Sequence, residues 1–232
     1  FSIHHDYLRS QTELLNCNAL AADKAFFSLG LMDVSPNSNI LAYTTDYSGF
    51  RTYCLYFTDL ERGIDLSDCI PNVRTFAWGG DSKCFFYVTE DKSKRACKVW
   101  KQHLDFPERK TLVYEEEDCR YSVSVNLSGS KKYIFILSAS ATSTEVRVVD
   151  ADKEISKLHI FKPRQKDIEY YLDHGDNYFY VLINDRGRNF RVARVPTYNS
   201  EGDLEEIMPH RVDVMIDNME VFSDFLVLHE RD

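Results

Sequence analysis

Gly80-Asp81-Ser82-Lys83-Cys84 comes nearest in this 232-residue chain to a serine nucleophile motif. The motif needs glycine at both ends, so that a strained strand-to-helix turn exposes the serine beside an oxyanion hole. Cys84 replaces the second glycine, and the surrounding residues are those of a hairpin turn, so no nucleophile is assigned to Ser82. His229-Glu230-Arg231 begins like a zinc-protease helix motif, but it lies at a strand end with no second histidine after it. His4-His5-Asp6 could hold a metal ion only weakly, because neighbouring residues of a strand point to opposite faces. The run Glu115-Glu116-Glu117-Asp118 lacks the glycine and alternating ligands of a calcium loop and is read as a solvated inter-strand loop. No phosphate-binding or dinucleotide loop is present. No catalytic, cofactor or metal residues are therefore assigned.

Arg186, Arg188, Arg191 and Arg194 cluster in a chain whose net charge is −9. Two readings fit: exposed charges guarding a sheet edge, or a carboxylate-binding or interdomain role for the loop pair Arg186 and Arg188. The acidic balance opposes nucleic-acid binding and favours cationic or neutral partners. Cys17, Cys54, Cys69, Cys84, Cys97 and Cys119 lack zinc-finger spacing, and Cys54, Cys84 and Cys97 fall inside apolar strand patterns. Reduced thiols, no apolar run of membrane length and no secretion signal point to a cytoplasmic protein. The sequon Asn126-Leu127-Ser128 would matter only after secretion.

The elements that would position any site come from a repeated hairpin. "FAWGGDSKCFFYVTED" (76–91) reads as strand, turn and strand. The same unit returns in "DVSPNSNILAYTTD", "SVSVNLSGSKKYIFILS", "IEYYLDHGDNYFYVLIN" and "DNMEVFSDFLVLHE", with turns at Ser35–Ser38, Ser128–Ser130, His174–Asp176 and Ser223-Asp224. Second strands begin near 40, 84, 133, 178 and 225. Polar loops follow, then third strands at 52–60, 97–104, 144–152 and 190–196, and short fourth strands such as Thr111–Tyr114 or Lys157–Phe161. Four antiparallel strands at this period predict an all-β chain, a β-propeller of four-stranded blades. The blade repeats are set near 31–74, 75–121, 122–167 and 168–214. A partial blade follows at 215–232, and 1–30 would supply the outer strands of a preceding one. Both a five-blade ring and a longer propeller cut at both ends fit the spacing.

With the strands placed, a longer set of strings carries a resemblance. "LLNCNALA" (14–21), "FAWGGDSKCFFYVT" (76–89), "KVWKQHL" (98–104) and "VYEEEDCRYSVSV" (113–125) open it. "SASATSTEVRVVDAD" (138–152), "KPRQKDIEYYLDHGDNYFYVLIN" (162–184), "NFRVARVP" (189–196) and "MPHRVDVMIDNMEVFSDFLVLHER" (208–231) complete it. In this order they resemble the propeller of oligopeptidase B-type enzymes of the prolyl oligopeptidase family of serine peptidases. The resemblance implies a seven-bladed propeller, of which this chain is about four and a half blades. It implies a C-terminal α/β-hydrolase domain, outside this chain, that carries the catalytic Ser, Asp and His and cleaves short peptides after Arg or Lys. The propeller would gate access to that domain and cut nothing itself.

On the same resemblance, the face turned to the peptidase domain includes Asp46, Tyr47, Arg51, Val73 and Glu90. It continues through Ser140, Thr142, Ser143, Asp185, Arg186 and Arg188. Its mixed charges fit interdomain ion pairs that open and close, or a solvated rim of little energetic weight. The chain departs from the family pattern at Phe50-Arg51, where an acidic residue is frequent. The competing reading is a stand-alone propeller serving as a protein-interaction scaffold.

Overall fold

The computed structural model describes residues 2–4, 11–66, 68–153 and 158–232. They form twenty short strands, one five-residue α-helix and one 3-10 turn. The chain divides into two compact units, residues 1–75 and 76–232.

In the first unit β1 (Ser2–His4) pairs antiparallel with β2 (Gln11–Glu13). Helix α1 (Cys17–Ala21) follows, its first turn capped by Asn16, whose Oδ1 accepts the Ala19 N–H at 2.9 Å. Then comes a four-stranded antiparallel sheet in the order β3 (Ser28–Val34), β4 (Ile40–Asp46), β5 (Cys54–Asp59) and β6 (Ile64–Asp65). Leu15, Leu41 and Tyr43 form its core, with Cys17 and Leu20 of the helix packed on them.

The next three sheets repeat the pattern. They are β7 (Val73–Trp78), β8 (Cys84–Glu90), β9 (Ala96–His103), β10 (Lys110–Glu115); β11 (Ser122–Leu127), β12 (Tyr133–Ala139), β13 (Thr144–Asp150), β14 (His159–Lys162); and β15 (Tyr170–Gly175), β16 (Tyr178–Ile183), β17 (Arg191–Pro196), β18 (Glu205–Met208). A two-stranded sheet of β19 (Met215–Val221) and β20 (Leu226–Arg231) ends the chain. Consecutive strands pair with consecutive neighbours, as in the blades of a β-propeller.

Alternation along the second strands shows why the sheets of the second unit stack. Ile134 and Ile136 of β12 pack toward Phe86, Val88 and Val99 of the preceding sheet. Phe135, between them, packs toward Phe179, Val181 and Ile183 of the following sheet. Leu182 of β16 in turn meets Ile216, Met219 and Val221. A strand buried on both faces has no polar side to present, and this accounts for the unbroken apolar runs "YIFIL" and "YFYVLI".

Three local expectations are corrected. His174 is a strand residue, paired with Phe179 and only 1% exposed, so the hairpin turns at Asp176-Asn177 instead. Glu116 is 4% exposed and thus not part of a solvated loop. Arg191 is also 4% exposed and is not an edge-guarding surface charge. His5 and Asp6 of the His4-His5-Asp6 run, and Lys157 of the fourth-strand expectation, lie outside the described residues.

Candidate functional site: the loop ends of the sheets

Each complete sheet passes from its second to its third strand at one end, where its first strand also begins. All eleven residues predicted for the gating face lie at these strand ends and loops, four in the first unit and seven in the second.

In the first unit Asp46 is 1% exposed, and its carboxylate organises its own loop. It accepts the Ser48 N–H and hydroxyl at 2.8 and 2.6 Å and the Arg51 N–H at 2.8 Å. Burial alone raises its pKa, but the Ser48 hydroxyl and the amides of Ser48, Arg51 and Thr52 outweigh it and hold the carboxyl below the ordinary value. Arg51 takes a left-handed backbone, φ 55°, to complete that turn, and its side chain is exposed. Tyr47 packs 5.7 Å from Phe27, with Lys24 Nζ 5.5 Å from its ring. Val73 is buried and donates its N–H to the Tyr53 carbonyl at 3.0 Å.

In the second unit Glu90 pairs with Lys94 at 3.8 Å, and the next loop is built on Asp91, which accepts the N–H groups of Ser93 and Arg95. Ser140 and Ser143 close their loop on each other, the Ser140 hydroxyl donating to the Ser143 carbonyl at 3.1 Å, while Thr142 is exposed between them. Ser143 Oγ also accepts the Asp167 N–H at 3.2 Å, which ties the loop to the segment entering the next sheet. Asp185 takes a two-pronged pair from Arg191, at 2.7 and 2.8 Å, and those hydrogen bonds lower its pKa. Arg186 and Arg188 remain exposed. Beside them a cavity of about 480 Å³ is lined by Lys162, Gln165, Asp185, Arg186, Arg191 and Asp203.

A denser charge cluster, not anticipated from sequence, lies behind these loops. Arg164 Nη2 donates to Glu116 Oε2 at 2.7 Å and to Glu145 Oε1 at 3.1 Å. Its guanidinium stacks 3.9 Å from the Tyr121 ring, and Arg147 sits equally close over Tyr114. The Tyr114 hydroxyl donates to Glu116 at 2.6 Å. Burial pushes the Glu116 carboxyl up, yet the bonds from Arg164 and Tyr114 win and bring it down to about 2. Arg95 Nη1 then ties the adjoining loop by donating to the carbonyls of Glu116, Asp118 and Tyr121.

One pair has the look of catalytic chemistry. His174 Nδ1 lies 2.7 Å from Ser130 Oγ, a serine–histidine separation suited to proton transfer. Its surroundings argue otherwise. The other ring nitrogen meets the Thr197 hydroxyl at 3.2 Å, where an orienting carboxylate would be needed. The imidazole is enclosed by the rings of Tyr133 and Phe179, and burial, then Lys132, brings it down to about 4. His174 is a neutral, hydrogen-bonded core residue. Ser82, the other serine of interest, lies in a hairpin turn in which Asp81 accepts the Lys83 and Cys84 amides. Among the described residues no group of three His, Cys, Asp or Glu side chains converges as a metal site. None of the described helices is long and apolar enough to cross a membrane.

Comparison with known proteins agrees with the fold. The model of the prolyl oligopeptidase N-terminal β-propeller domain matches residues 5–232. Dipeptidyl aminopeptidase BI of Pseudoxanthomonas mexicana is 34% identical over 94% of this chain and 31% of its own length. Protease 2 of Moraxella lacunata is 30% identical over 90% of this chain and 33% of its own. Oligopeptidase B from Leishmania major superposes with a TM-score of 0.89 at 23% identity, over 99% of this chain and 33% of that one. Trypanosoma brucei oligopeptidase B, in a closed form with covalently bound antipain, gives 0.86 at 29% identity, over 96% and 32%. The chain thus spans about a third of the length of these relatives.

Proposed function

The chain belongs to the prolyl oligopeptidase family, as its N-terminal β-propeller domain, and from that premise we propose that it controls substrate access to a serine peptidase domain elsewhere in the same protein. That partner is an α/β-hydrolase domain holding the Ser, Asp and His. Its substrates are short peptides cleaved after Arg or Lys. The propeller supplies no reacting group.

The observation that carries this reading is the loop end of the second unit. Exposed Arg186 and Arg188 stand on a loop whose base is fixed by the pairing of Asp185 with the buried Arg191 and by Asn189, whose Nδ2 donates to the Arg211 and Val212 carbonyls. A rigid base with free guanidinium groups above it suits ion pairs with a second domain that form and break. The net charge of −9 favours the approach of cationic peptides. Six free cysteines suit a reducing, cytoplasmic setting.

The test uses the intact protein and a short peptide containing one arginine. Hydrolysis on the carboxyl side of that arginine, blocked by a serine-directed inhibitor, supports the reading. Absence of hydrolysis, together with no labelling by a fluorophosphonate probe, overturns it and leaves an interaction scaffold.

A further inference from the structure

The loop from β4 to β5 carries an aromatic group past the end of the first sheet. Phe50 is 79% exposed there, and Phe26, 44% exposed, lies against the neighbouring Gly49, where a Cβ would stand 3.7 Å from its ring. Phe27 packs on Tyr47, with centroids 5.7 Å apart. The loop is tied on both sides of Phe50. The Asp46 carboxylate accepts the Ser48 and Arg51 N–H groups, and Ser48 Oγ accepts the Phe50 N–H at 3.1 Å. Gly49 and Arg51 both take positive φ, 76° and 55°, which fixes the chain on each side of the phenyl ring. A single exposed apolar side chain is ordinary. Two phenyl rings on a loop already held by hydrogen bonds are different, because little backbone freedom is left to lose when a partner arrives.

We propose, on the reading given above, that Phe50, with Phe26 beside it, is an apolar anchor that docks against the peptidase domain of the same protein. Position selects this occupant. Adjacent sheets of the second unit stack through strand side chains, such as Ile134 toward Phe86 and Phe135 toward Phe179. Phe50 stands beyond Asp46, the last residue of β4, so its partner lies over the end of the sheet and not beside its face. The relatives are about three times as long as this chain, and in the protein proposed above the remainder includes the peptidase domain. Aromatic side chains in desolvated pockets are the residues that most often dominate such contacts. The anchor also differs in kind from the arginines of the second unit: an apolar contact is not screened by salt, whereas an exposed ion pair is.

The test places the photoreactive p-benzoylphenylalanine at position 50 of the intact protein. Trypsin cuts after Lys24 and Arg51, so the reactive residue is carried in peptide 25–51. After irradiation that peptide should be joined, within one molecule, to peptides of the domain whose serine takes a fluorophosphonate label. Cross-links between two copies, or only to other propeller peptides, overturn the anchor. Absence of the fluorophosphonate label from wild type overturns the peptidase reading and the anchor with it, so the two failures are told apart. Phe50→Ser should keep the propeller's unfolding midpoint, since the side chain is exposed. It should reduce the preference for a short peptide over the same sequence in a folded loop at least fivefold, equally at low and high salt. An unchanged preference, or an effect that disappears at high salt, also overturns the anchor.

Discussion

Arg164 Nη2 donates to Glu116 Oε2 at 2.7 Å, joining residues 48 positions apart across the seam between the second and third sheets. The partners' side chains are 25% and 5% exposed, so solvent contributes little to holding either charge. Glu145, Tyr114 and Tyr121 surround the pair, and Arg95 fixes the carbonyls beside it. The seam therefore combines the apolar packing of Val88 and Ile136 with a saturated polar cluster at its loop end.

Removing one partner of such a cluster leaves buried charge uncompensated. Arg164→Ala would leave Glu116 without its cationic partner, while Glu145 keeps Arg147 at 2.7 Å, at a cost of about 3 kcal/mol. Glu116→Gln keeps the shape and the Tyr114 contact and should cost less, about 1–2 kcal/mol. Urea unfolding of the intact protein, followed in the propeller transition, measures both. Equal midpoints for Arg164→Ala and wild type would show that the cluster does not hold the seam.

Acid should weaken the fold in two stages. His174 titrates near 4 in the folded state against 6.5 for a free imidazole, so between those values the unfolded chain binds the extra proton. Its contribution is complete above about pH 6.5 and is lost as pH falls toward 4, up to about 3 kcal/mol. Glu116, held near 2, contributes above its ordinary 4.5 and is lost between 4.5 and 2. Unfolding free energies at pH 7 and pH 5 should therefore differ in wild type and differ much less in His174→Gln. An unchanged difference in that variant would assign the first stage to another group.

Asp173 links three sheets through backbone amides, accepting Gly129 N–H at 2.8 Å, His174 N–H at 2.7 Å and Val221 N–H at 3.2 Å. Asparagine offers one acceptor oxygen instead of two, so Asp173→Asn should destabilise by about 1–3 kcal/mol. A Cβ on Gly129 would stand 2.5 Å from the Val221 carbonyl, a backbone atom that cannot swing aside. Gly129→Ala should lower Tm by several degrees, about the scale expected for 1–2 kcal/mol in a protein of this size. Calorimetry that finds either variant as stable as wild type would show that the contact relaxes freely.

How far the sequence discloses this architecture depends on the range of the interactions involved. Hairpins are local: Ser128-Gly129-Ser130 between the alternating run of β11 and the unbroken apolar run of β12 is enough to place both strands. The burial of Glu116 is not local. A run of four acids reads as solvated until Arg164 arrives from another sheet, and neither residue carries a signal of the other. Arg191 was obscured in the same way by its neighbours Arg186 and Arg188, though its partner Asp185 is only six residues away. His174 read as a turn residue because it precedes Gly175, while its ring is claimed by Ser130, 44 positions upstream. Asp46 was visible as a loop residue, but its role as the organiser of that loop needed the backbone of Ser48 and Arg51.

Arg186 and Arg188 are exposed, so replacing both by glutamate should leave the propeller's unfolding midpoint within about 0.5 kcal/mol of wild type. If they pair with carboxylates of the peptidase domain, the same change should alter kcat/KM for a short basic peptide several-fold and reverse the direction of its ionic-strength dependence relative to wild type, attraction having become repulsion. Identical kinetics at low and high salt would remove these two residues from the gate.

Size selection is the most direct consequence of a gating propeller. The intact protein should be offered one Arg-containing sequence as a short free peptide and again within a folded protein loop. Access limited by the propeller predicts cleavage of the free peptide at least a hundredfold faster, with serine-directed inhibition of what remains. Comparable rates on both substrates would contradict a gating propeller, whatever the identity of the peptidase behind it.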